Sequence, residues 1–116
     1  MGALQRRKGK AGELEVVHML ADHWGVKAER NLDQTREGGC DIPVPPWHIE
    51  VKRRARIGNV YEWMEQAYLS CGSNDKPVVF LRGDGKKWLV LMTATEFLRL
   101  AREDIASGDT STPGMK

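Results

Sequence analysis

Four consecutive apolar residues, Val78-Val79-Phe80-Leu81, place the tightest constraint on how this chain can fold. Neighbouring side chains of a strand point to opposite faces, so an unbroken apolar run suits a strand covered on both sides. The run lies within a strand expected over 77–82. Gly83-Asp84-Gly85-Lys86 follows as a hairpin signal, and 87–92 reads as its returning strand. A sheet covered on both faces needs helices on both.

The remaining periodicity supplies them. Over 12–23, Val16, Val17, Leu20, Ala21 and Trp24 recur at helical spacing, and Gly25 is placed as the residue that ends the helix. Glu15, His18 and Asp22 point elsewhere, as surface residues do, but Glu13 falls on the apolar side. An acid there has two readings: it favours the helix dipole while staying wet at the end of the stripe, or it is aimed at a site near the end of the sheet. A second helix over 59–71 carries the stripe Val60, Trp63, Met64, Ala67 and Cys71, with Tyr61 and Tyr68 along one flank. Gln66 sits at the other edge, as a surface amide or within reach of a site. Thr93-Ala94-Thr95-Glu96 is a capping box with Met92 and Phe97 as its hydrophobic staple, so a last helix spans 93–103.

Strands are expected over 26–31, 40–44 and 47–53. Pro43, Pro45 and Pro46 put the turn between the last two at a sheet edge. Residues 33–39 form a polar, glycine-bearing loop. The order is helix, three strands, helix, two strands, helix. It describes an α/β sandwich with a mixed central sheet of about five strands flanked by helices. One domain over 1–104 accounts for the pattern, and the Ser/Gly/Thr/Pro content of 105–116 reads as a disordered tail.

A length of 116 residues allows a single core, and a net charge of +2 is too small to indicate nucleic acid by itself. The distribution says more. Arg6, Arg7, Lys8 and Lys10 form one basic cluster; Lys52, Arg53, Arg54 and Arg56 form another. Each alone reads as a solvated face, whereas two clusters flanking one site favour a phosphate-binding surface. No apolar run is long enough for a membrane span, and the basic N-terminus is not followed by an apolar signal segment. Cys40 and Cys71 make no disulfide framework, and no Cys/His spacing suggests zinc. The chain reads as cytoplasmic, with Cys40 a small filler beside Asp41.

The chemistry is concentrated in Gly38-Gly39-Cys40-Asp41-Ile42 and His48-Ile49-Glu50-Val51-Lys52. Strand alternation brings Glu50 and Lys52 to one face together with His48, a residue that can touch a phosphate or simply be exposed. Asp41 and Glu50 are an oxygen-donor pair suited to Mg²⁺, with the backbone carbonyl of Val51 between Glu50 and Lys52. Lys52 is placed to orient a water or to stabilise phosphoryl charge, and Glu13 to complete a second metal position. The bare pattern also fits a cross-strand ion pair on a wet sheet face.

Arg7-Lys8-Gly9, then Glu13 entering a helix, then Asp41 and Glu50-Val51-Lys52, resembles the archaeal-type Holliday junction resolvases of the PD-(D/E)XK nuclease superfamily. The similarity covers roughly the first two-thirds of the chain. It implies a restriction-endonuclease-like fold and a Mg²⁺-dependent homodimer, with Mn²⁺ as substitute, that nicks branched DNA in pairs. By position it implies Glu13 as the helical acid, Asp41 and Glu50 as metal ligands and Lys52 as the catalytic lysine. It further implies that the 33–39 loop, including Arg36, contacts DNA. Cys40 stands where the superfamily name has proline. Two other readings remain open: a nuclease of the same superfamily acting on other DNA, and a non-catalytic DNA-binding module. A small interaction protein with a fortuitous motif stands outside both.

Overall fold

The computed structural model describes residues 2–31 and 40–106, with side chains from Gly9 onward. The elements are α1 (Gly2–Trp24), β1 (Ile42–Val44), β2 (Trp47–Arg54), α2 (Val60–Leu69), β3 (Lys76–Gly83), β4 (Leu89–Leu91) and α3 (Ala94–Ala106). The strands lie in the order β1-β2-β3-β4. β1 runs antiparallel to β2, with Ile42 opposite Ile49. β2 and β3 are parallel, with Glu50 opposite Val79, and β4 returns antiparallel to β3. Parallel neighbours need a crossover, and α2 is that crossover.

The sheet is mixed, as the sequence implies, but has four strands among the described residues rather than five. Residues 26–31 are the difference. Their side chains alternate in burial, and Val26 and Ala28 pack on the core, yet the segment forms no strand. A backbone bond from Asn31 N–H to Asp41 O, 2.7 Å, ties it to the start of β1. Alternation is a property of the segment; a strand also requires a partner ladder, which three-residue β1 does not extend.

The apolar run fixes the layers as expected. Val78 and Phe80 face the cluster that α1 closes with Val16 and Leu20, joined by Ile42, Ile49 and Val51. Val79 and Leu81 face Ala67 of α2, with Val60, Trp63, Met64 and Leu91 around them. The two helices therefore cover opposite faces of the central pair β2–β3.

α1 is longer than the expected 12–23 and buries a narrower stripe. Gly12, Val16 and Leu20 are buried, whereas Ala21 is exposed and Trp24 is 48% exposed. Gly12 is where α1 touches β2: a Cβ there would lie 3.0 Å from Arg53 Cβ, so the close crossing depends on its absence. Gly25, at φ 70°, donates its N–H to Ala21 O and ends the helix. α2 is capped by Asn59, whose side chain accepts from the Tyr61 and Glu62 N–H groups.

β1 is an edge strand, consistent with its prolines, and the Pro45–Pro46 peptide bond is cis. The capping box is half realised. Thr93 Oγ1 accepts from Glu96 N–H at 3.1 Å, but the Glu96 carboxylate is buried near Lys76 and Arg99. Phe97, expected in a staple, is 54% exposed. Ile105 and Ala106, expected to begin the tail, are the last residues of α3; 107–116 lie outside the described residues. Among the described residues, no helix is long and apolar enough to cross a membrane.

Candidate active site

β1 is short, and that shortness builds the site. Continuing its register would set Cys40 opposite Val51, but the ladder stops at Ile42. The Val51 N–H is instead taken by Asp41 Oδ2 at 2.7 Å, a buried bond in which a carboxylate replaces a strand. Asp41 is thereby pinned beside β2 at the level of Glu50 and Lys52.

On β2, Ile49 and Val51 turn to the α1 core, while His48, Glu50 and Lys52 turn toward α2. All three polar residues are buried, at 7%, 3% and 9% exposure. Lys52 Nζ donates to Gln66 Oε1 at 2.8 Å, so the α2 amide, although exposed, reaches the site. Burial pulls the Lys52 ammonium below its usual range, against the opposing effect of Glu50. Burial, followed by the neighbouring charge of Asp41, pushes Glu50 up to about 7, with Lys52 offsetting part of the rise. The two carboxyl groups are close enough to hydrogen-bond each other.

Glu13 completes the group from α1. It lies at the margin of the buried stripe, where Arg30 Nε donates to its Oε1 at 2.6 Å. Burial raises its pKa, and the Arg30 hydrogen bond works in the opposite direction. Arg30 was invisible to pattern reading. It sits on a segment with no motif, and only the chain's return past α1 brings it to Glu13.

A cavity of about 260 Å³ is lined by Gly9, Glu13, Asp41, Glu50, Val51, Lys52, Arg54 and Gln66. Residues from α1, the β1–β2 hairpin and α2 thus meet around one space. The donors fit a hard divalent cation: three carboxyl groups line one cavity, and the raised pKa values of Glu13 and Glu50 are ones that a cation would relieve.

The basic residues divide. Arg54 lines the cavity and lies over the Trp63 ring at 5.8 Å. Arg53 has the opposite parity and stands near Glu15 and Asp84, each at 3.9 Å, away from the cavity. Glu15 is not the free surface acid expected. It accepts from Trp88 Nε1 at 2.9 Å and pairs with Arg82 at 3.2 Å. Lys10 and Arg56 are exposed. The side chains of Arg6, Arg7 and Lys8, and the 33–39 loop with Arg36, lie outside the described residues.

His48 does not line the cavity and is not exposed. Its Nε2 is 3.1 Å from Ser70 Oγ, which is 3.5 Å from Glu50 Oε2. Burial lowers its pKa, partly opposed by Asp75 and Asp41. Donor atoms of His48, Cys71 and Asp75 lie within 4.8 Å of one another. A search for Cys/His spacing misses this group because its members are joined by the β2–α2–β3 crossover rather than by a short motif. Cys40 is a buried filler whose thiol burial pushes up to about 11.

A family model described as "Phage putative PDDEXK endonuclease" matches residues 4–111. Neither the curated proteins nor the solved structures contain a match to the chain.

Proposed function

Since the chain belongs to this phage family of PD-(D/E)XK endonucleases, we propose that it is a Mg²⁺-dependent DNA endonuclease that resolves four-way junctions by paired nicks. The family match supports a nuclease of that superfamily, whose members usually use divalent metals. The observation carrying the chemistry is the convergence of Glu13, Asp41, Glu50 and Lys52 on one cavity. The junction reading rests on the resemblance of the Arg7-Lys8-Gly9 lead-in and Glu13 to junction resolvases.

Asp41 and Glu50 would hold the cation, with the Val51 carbonyl as a third donor and Glu13 from the far wall. When bound, Mg²⁺ supplies Lewis acidity that neutralises phosphoryl charge and lets water ionise near neutral pH. Asp41 arrives already oriented, because the Val51 N–H fixes one oxygen. Glu50 must give up its proton to act as a ligand, and its raised pKa makes that loss a neutral-pH event. Lys52 is held by Gln66, leaving its ammonium at the cavity to stabilise charge on the scissile phosphate or to hold the attacking water. Arg54, beside it, suits an adjacent phosphate of the DNA backbone.

Two symmetric nicks need two active sites, so the reading includes a homodimer. Exposed Leu89, Val90, Phe97, Leu98 and Leu100 on β4 and α3 provide apolar surface for a second copy.

The test is cleavage of a synthetic four-way junction beside matched linear duplex and single strand, with Mg²⁺ or Mn²⁺. Paired nicks confined to the junction, lost in Asp41→Asn, support the reading. Equal cutting of linear duplex shifts the substrate to other DNA, within the same superfamily. Binding without cutting, indifferent to Asp41→Asn, leaves a DNA-binding module.

A further inference from the structure

A second group of metal-ligating side chains lies across Ser70 from the carboxylate centre. His48 comes from β2, Cys71 follows α2, and Asp75 directly precedes β3. Their proximity follows from topology. β3 lies parallel to β2 with Pro77 opposite His48, so the turn that ends the crossover is delivered beside the imidazole. Short backbone bonds hold that turn: Cys71 N–H to Tyr68 O at 3.2 Å, Asp75 N–H to Gly72 O at 3.1 Å, and Lys76 N–H to Pro46 O at 2.7 Å.

The donor atoms lie within 4.8 Å of one another. Ligands about 2.0–2.3 Å from a tetrahedral ion stand roughly 3.4–3.8 Å apart, so side-chain adjustments of about an ångström would close the group on a cation. Gly72 gives the carboxylate its room. A Cβ there would lie 3.2 Å from Asp75 Oδ2, so the carboxylate would have to give by a few tenths of an ångström. His48 is buried, Cys71 half-buried and Asp75 exposed, which sets the donors along a path from core to solvent. A cavity of about 270 Å³, lined by Tyr68, Cys71, Gly72, Ser73, Asp75 and Pro77, adjoins Cys71 and Asp75 and has space for a fourth ligand from water.

We propose that His48, Cys71 and Asp75 form a second cation site, separate from the carboxylate centre, that takes Zn²⁺ with water as fourth ligand. The donors decide the ion. Thiolate and imidazole suit zinc and are poor partners for magnesium, which takes oxygen ligands and keeps its water. The carboxylate cavity offers the reverse set, so the two centres sort hard from soft cations. Binding must displace the thiol proton of Cys71, because sulfur ligates as thiolate. Ser70 stands between the centres, 3.1 Å from His48 Nε2 and 3.5 Å from Glu50 Oε2. Any test must therefore separate the two sites.

Co²⁺ is the probe, titrated into the full chain stripped of metal, with excess Mg²⁺ to occupy the carboxylate centre. The expected result is one equivalent bound with a sulfur-to-cobalt charge-transfer band and the visible bands of a tetrahedral ion, displaced by Zn²⁺. Cys71→Ser should abolish the charge-transfer band, while Cys40→Ser and Asp41→Asn should retain it. Asp75→Asn should weaken Co²⁺ by roughly tenfold or more. Far-ultraviolet circular dichroism checks that each variant is folded. Absence of a charge-transfer band in the folded wild-type chain overturns the proposal. So does a band that survives in Cys71→Ser or disappears in Asp41→Asn.

Discussion

The two faces of β2 are made by alternate residues of one strand and are almost equally buried, yet they hold opposite kinds of chemistry. Ile49 and Val51 are 0% and 6% exposed against α1; Glu50 and Lys52 are 3% and 9% exposed against α2. On the first face, burial stabilises the fold by about 1.5–3 kcal/mol for each large apolar side chain. On the second it opposes the charged forms, raising the pKa of Glu50 and lowering that of Lys52. The difference continues at the strand's end, where Arg53 stands among acids behind the sheet and Arg54 lines the cavity. Burial alone thus says little about a residue's role. What distinguishes the faces is whether the buried group is satisfied by apolar packing or by specific polar partners such as Gln66 and Ser70.

Asp41→Asn or Lys52→Ala should produce the largest effect and sharpen the contrast most. Each should lower cleavage under single-turnover conditions by roughly 10²–10³-fold or more, with unchanged circular dichroism. Ile49→Ala on the opposite face should do the converse. It should cost about 2–5 kcal/mol in urea unfolding, while the folded fraction keeps its Mg²⁺ affinity. Substantial loss of metal binding in folded Ile49→Ala would break the separation of the faces.

The pH dependence separates them further. Glu50 has a reference pKa of 4.5 and is raised to about 7 in the folded chain. Between these values the folded state holds a proton that the unfolded state has lost. The metal-free protein is therefore most favoured below the lower value and loses stability as pH rises through the upper one, by up to about 3 kcal/mol. Thermal unfolding with a chelator should find the wild type less stable at pH 8 than at pH 6. Glu50→Gln should flatten that dependence and be the more stable protein at pH 8. Mg²⁺ should reverse the order at pH 8, because the cation stabilises only the ionised carboxylate. The smallest effect concerns the arginines. Arg54→Ala should reduce the salt slope of DNA binding by about 0.9, one phosphate contact, and Arg53→Ala should leave it unchanged. Equal slopes for the two would remove the distinction drawn at the end of β2.

Much of the site was legible because it is local. Period-two alternation sets Glu50 and Lys52 on one face whatever surrounds the strand, and an acid beside a helix stripe draws attention to Glu13. The hairpin at 83–86 follows from short-range backbone chemistry, whereas the cap that Asn59 makes on α2 was found only in the structure. Partnerships across long separations were not legible. Gln66 and Arg54 become site-lining residues, Arg53 an ion-paired one, and Arg30 and Ser70 neighbours of acids only through packing. Residues 26–31 have a strand's alternation but no partner ladder, and His48 has a surface residue's chemistry in a buried position.

By itself, then, the sequence determined which side chains share a face and where the chain must turn, because both depend on local geometry and steric preference. Order and spacing grouped Asp41, Glu50 and Lys52, and Glu13 with the Arg7-Lys8-Gly9 lead-in set them apart from a chance ion pair. The tertiary structure decided which of those groups are buried, which partner holds each, and that His48, Cys71 and Asp75 lie together. Those outcomes depend on where the crossover returns the chain and where β1 stops. Residues far apart in sequence acquire electrostatic and ligand-binding properties only once their separation in space is fixed.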